Sequence, residues 1–104
     1  MDDETKLELV NIRAELQALR LAVNEALSIA LSHEANPDKS VILARDDLKK
    51  IVGLTRDEMT KKATDSTSQQ FALWFVGLVD KSISSLMDEV ERRVSQLKRD
   101  RALH

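Results

Sequence analysis

Two histidines are the first residues to test for chemistry. His33-Glu34 opens like the zinc motif H-E-x-x-H but lacks the second histidine, and His104 closes the sequence. No E-x-x-H spacing occurs, so a di-iron helical bundle has no ligand set. Cysteine is absent, which excludes disulfides and thiolate metal sites. Asp46-Asp47 and Asp88-Glu89 are neighbours in sequence and diverge on a helix, so they cannot converge on one bond as an acid–base pair. A nucleophilic serine needs a base and an orienting group. The serines here cluster at helix starts and outward faces, without a G-x-S-x-G turn. Two glycines build no phosphate-cradling loop. The residue types therefore predict a protein that is not an enzyme and holds neither cofactor nor metal.

The elements that carry these residues read as helices. Two glycines, one proline and an abundance of Leu, Ala, Glu, Lys and Arg favour helix over sheet. A length of 104 residues fits one domain, and three aromatics leave its interior to Leu, Val, Ile and Ala. The net charge of −2 gives no global attraction to nucleic acid or an anionic membrane. The acidic start MDDETK does not read as a signal peptide, and no apolar run approaches the ~20 residues of a bilayer span. A cytoplasmic location without membrane contact is the expectation.

Residues 5–33 are expected to form a first helix, with Thr5 and Glu8 as a capping box. Leu9, Ile12, Leu16, Leu19, Val23, Ala26 and Ala30 follow the 3,4 spacing of a coiled-coil seam. Val10, Ala14 and Leu21 make a weaker second stripe. Asn36-Pro37 ends this helix and starts the next, with Asn36 as N-cap and Pro37 at the first position. The second helix is expected over 37–52, closed by Gly53. A second capping box at Thr55 and Glu58 predicts a third helix over 55–65. Asp65-Ser66-Thr67-Ser68 offers four good N-caps, and a fourth helix is expected over 68–102.

Residues 45–63, RDDLKKIVGLTRDEMTKKA, resemble the helix-turn-helix of DNA-binding regulators over this stretch only. Leu48, Gly53, Leu54, Thr55 and Met59 match its apolar, glycine, apolar, cap and apolar positions. Lys49 and Lys62 depart from it, standing where a small and an apolar residue are usual. The resemblance implies that Arg56, Asp57, Thr60 and Lys61 face DNA. A plain helix–glycine–helix turn accounts for the same residues.

The most informative stretch is Phe71–Val79, FALWFVGLV, which holds all three aromatics among nine uncharged residues. On a helix it is apolar on every face and must be covered on every face. Ala72, Phe75, Val76, Val79, Ile83, Leu86, Val90, Val94 and Leu97 form one stripe, with Phe71, Trp74 and Leu78 roughly opposite. The expected architecture is all-α. The long first and last helices form an antiparallel hairpin, the middle helices cross over, and two chains associate into a bundle. The expected interface comprises Phe71, Trp74, Phe75, Leu78, Leu16, Leu19 and Val23. The expected partners are a second copy and another protein, for a small adaptor, assembly factor or inhibitor. The alternative is a dimeric DNA-binding regulator that uses residues 45–63.

Overall fold

The computed structural model describes residues 2–103, so His104 lies outside them. They form three helices, α1 (Asp3–Ser32), α2 (Pro37–Lys62) and α3 (Ser66–Ala102), and no strand is found among them. Each helix starts on a polar cap. The Asp2 carboxylate accepts from the Thr5 amide at 2.7 Å. Asn36 accepts from the Lys39 amide at 3.2 Å, ahead of Pro37 at the first helical position. Asp65 accepts from the Ser68 amide at 2.7 Å. The hydrogen bonds that Asp2 and Asp65 accept hold both carboxyls below their usual range.

Four expectations about helix ends are corrected. Thr5 is not the first cap, because its own amide is spent on Asp2 and the helix starts two residues earlier. Gly53 does not end a helix. It has no positive φ, and α2 runs through it to Lys62, so helices 37–52 and 55–65 are one element. The Thr55 hydroxyl turns back to the Ile51 carbonyl at 2.9 Å instead of capping a new start. The break that remains is at 63–65, and α3 begins at Ser66 rather than Ser68.

Merging two helices reverses the direction of the last one. Arg20 meets Ser85 and Glu89, Glu25 meets Arg93, and His33 meets Arg101. Partner numbers rise together, so α1 and α3 are parallel, not the antiparallel pair expected. The antiparallel hairpin is α2–α3. Asp38 pairs with Lys98 at 3.0 Å, Arg45 with Asp88 at 2.9 Å, and Lys49 with Asp80 at 3.5 Å. Both α1 and α2 lean on α3 and scarcely on one another. The acidic start of α1 therefore lies far from the basic end of α3, contrary to the antiparallel expectation.

The core sits at one end. Val41, Met87, Val90 and Val94 are buried, with Leu27, Leu31, Ala44, Leu48, Ile83 and Leu86 packed around them. Beyond it the layer opens. Its extents are 56 × 38 × 14 Å, and its radius of gyration of 17.7 Å exceeds the ~13 Å of a compact chain this long. Every residue from Asp2 to Leu19 is exposed. α1 thus holds α3 only through its second half and leaves its first half as a free arm.

Candidate interaction surface

The arm is free because α1 does not use its apolar seam against α3. The contact face carries Arg20, Asn24 and Ser28. The Arg20 guanidinium donates to Ser85 Oγ at 3.1 Å and to Glu89 at 3.2 Å. Asn24 donates to the other Glu89 oxygen at 3.5 Å and accepts from Ser28 Oγ at 3.1 Å. Ser28 is fully buried, so its hydroxyl needs that partner. Below this ladder, Arg93 grips Glu25 with two bonds of 3.0 and 2.8 Å. This fork pulls the Glu25 carboxyl below its ordinary range and raises the Arg93 guanidinium. Arg101 donates to the Ser32 carbonyl and lies 2.9 Å from His33 Nε2, which places His33 at a helix–helix junction.

With these polar contacts made, the seam is turned outward. Leu16, Leu19 and Val23 line one side of a groove of about 690 Å³, and Leu78, Val79 and Ile83 of α3 line the other. A smaller cavity of about 100 Å³ adjoins it on the α2 side, between Ile51, Thr55, Phe75 and the same Val79 and Ile83. The structure thus brings four of the expected interface residues, Leu16, Leu19, Val23 and Leu78, to one apolar groove, and sets Phe75 in the smaller cavity beside it.

Phe71 and Trp74 stand apart from it. Their rings are 5.8 Å apart and tilted by 48°, and Phe71 stacks on Phe75 at 6.1 Å. Trp74 is 61% exposed, so this ladder of rings covers little of its own area. Ile51, on α2, is a wall residue of the smaller cavity that the sequence alone does not single out. Its place beside Phe75 requires α2 to continue past Gly53.

The expected DNA-facing residues all lie on the last turns of α2. The Thr60 hydroxyl bonds the Arg56 and Asp57 carbonyls of its own helix at 2.9 and 3.2 Å. Arg56 lies 3.7 Å from Asp57, and Lys62 bonds Glu58 at 2.8 Å. No turn separates residues 45–52 from 54–62, so the two-helix geometry that the resemblance requires is not formed. Arg56 instead borders a cavity of about 410 Å³ with Lys49, Gly53, Leu73, Gly77 and Asp80.

Among the described residues no cluster of three His, Asp or Glu side chains has metal-site geometry. None of their helices is long and apolar enough to cross a membrane. No family model, curated protein or solved structure matches the chain.

Proposed function

We propose that this protein is a small non-catalytic helical module for protein–protein interaction that acts as a homodimer. The observation that carries the reading is the uncovered apolar surface. Nineteen large hydrophobic side chains among the described residues are exposed, Leu16, Leu19, Val23, Ile51, Phe71, Trp74, Phe75 and Leu78 among them. Monomeric proteins seldom leave contiguous apolar area of this kind in water. The accessible surface is 7927 Å². A compact 11.7 kDa monomer has about 5,900 Å². The excess, about 2,000 Å², is of the size that obligate homodimers remove from water. Two-fold symmetry offers the simplest cover, since it sets one patch against itself.

Sedimentation equilibrium tests this. The expected mass is twice 11.7 kDa at tens of micromolar. A mass that stays at 11.7 kDa would sink the dimer and leave Phe71, Trp74 and Leu78 as the surface for a different protein. As an adaptor, assembly factor or inhibitor, the dimer would present its remaining faces to such a partner.

A further inference from the structure

We propose that the open half of the groove is filled by the first half of α1 from a second copy, each chain giving its arm and receiving the other's. This rests on the homodimer reading and specifies which surfaces meet.

The groove is an extension of the core rather than a surface dent. Val79 and Ile83 line both the larger cavity, between α1 and α3, and the smaller one, between α2 and α3, so the two adjoin along α3. Ile83 and Leu86, at its inner end, also pack against the buried cluster of Met87 and Val90. The three helices that enclose the core at one end therefore diverge around unfilled apolar space at the other. A helix laid in the groove meets α1 on one side and α3 on the other, so it must be apolar on more than one side.

The first half of α1 has that character. Leu9, Ile12, Leu16 and Leu19 form one stripe, and Leu7, Val10, Ala14 and Leu21 form another. One stripe would suffice for a helix with a single neighbour. Both are exposed in the lone chain, and α1 makes no side-chain bond to α3 before Arg20. The chain thus displays an empty helical berth and an unpartnered helix suited to it. Mutual exchange covers both in each copy, which a foreign helix in the groove would not do. It also accounts for an excess surface near 2,000 Å² per chain, where a patch involving Trp74 alone would remove only a fraction.

The experiment places a photoreactive group in the groove, at Leu78 of α3. The variant Leu78→p-benzoyl-phenylalanine puts it at a position that is 46% exposed. It is unfolded and refolded with an equal amount of uniformly ¹⁵N-labelled natural chain, irradiated, and digested with trypsin. The cleavage sites at Lys6, Arg13 and Arg20 release residues 7–13 and 14–20 as separate peptides. The expected product joins the unlabelled peptide carrying position 78 to a ¹⁵N-labelled peptide of residues 7–13 or 14–20. The same photoreactive residue at Ser82, one turn further along the groove, is expected to capture the same peptides. Light scattering on the same sample gives the mass. Captured ¹⁵N-labelled peptides from α2 or α3, or capture only within one chain, in a sample of doubled mass would overturn the exchange and leave the homodimer standing. Capture only within one chain, at a mass of 11.7 kDa, would overturn both.

Discussion

Replacing Leu19 by Ala separates what the chain contributes to its own stability from what it contributes to a partner. Leu19 lines the groove and is 61% exposed. Full burial of a leucine contributes ~1.5–3 kcal/mol relative to leaving it in water. The part already buried therefore contributes about 1 kcal/mol or less to the lone chain, and the part awaiting cover about 1–2 kcal/mol. A two-fold dimer contains the residue twice, so Leu19→Ala is expected to weaken association by ~2–4 kcal/mol, roughly 30- to 700-fold in Kd. Sedimentation equilibrium across a dilution series reads the Kd. Urea unfolding at the lowest concentration reads the chain alone. A variant that loses several kcal/mol at every concentration, with its Kd unchanged, would show that Leu19 is covered within its own chain. The groove would then not be an interface.

The remaining expectations concern stability. An added Cβ at Gly77 meets nothing within 4 Å, and its φ is not positive. Gly77→Ala should therefore stabilise by ~0.4–1 kcal/mol, seen as a higher urea midpoint; a lower midpoint would mean that something occupies that space. Met87 is fully buried at the junction of the helices, and Met87→Ala should cost ~2–5 kcal/mol in denaturant unfolding, against under ~1 kcal/mol for the exposed Leu54→Ala. Arg93 lowers the Glu25 carboxyl below its usual 4.5, so what this pair adds is present above that pH and is lost as pH falls below it. The thermal midpoint at low salt should be flat near neutrality and fall through the acid range, less steeply in Glu25→Gln. An identical fall in both proteins would remove Glu25 from the acid response.

Much of the fold was legible because several starts are local chemistry. Asn36-Pro37 and the Asp65–Ser68 run act within a single turn, and the structure uses both. Gly53 misled because glycine followed by a capping box describes a helix end only when the tertiary surroundings permit one. Here buried Val52 and the Arg56 side chain both border α3, and a helix continuing past Gly53 gains that contact for the ~1 kcal/mol that an interior glycine costs. The orientation error followed directly. Four helices joined by short turns set the first and last antiparallel, and three set them parallel. The expected interface residues were legible only as a surplus of apolar positions. Their convergence was not, since it depends on α1 meeting α3 through Arg20, Asn24 and Ser28. Polar residues on a helix ordinarily read as its solvated side.

The unsupported first half of α1 has a bearing on timing. A lone helical segment shorter than ~12–15 residues is marginal in water, and an arm of 17 residues with none of them buried is only slightly better placed. Its amides should exchange with solvent orders of magnitude faster than those of α3 around Met87 and Val90, which open only when the whole core does. A newly made chain would then carry a fraying, protease-sensitive N-terminal segment until it meets another. If the arm docks on a second copy as proposed, such a chain would sense its own concentration, because copies made in excess of their partners would stay cleavable and assembled ones would be protected.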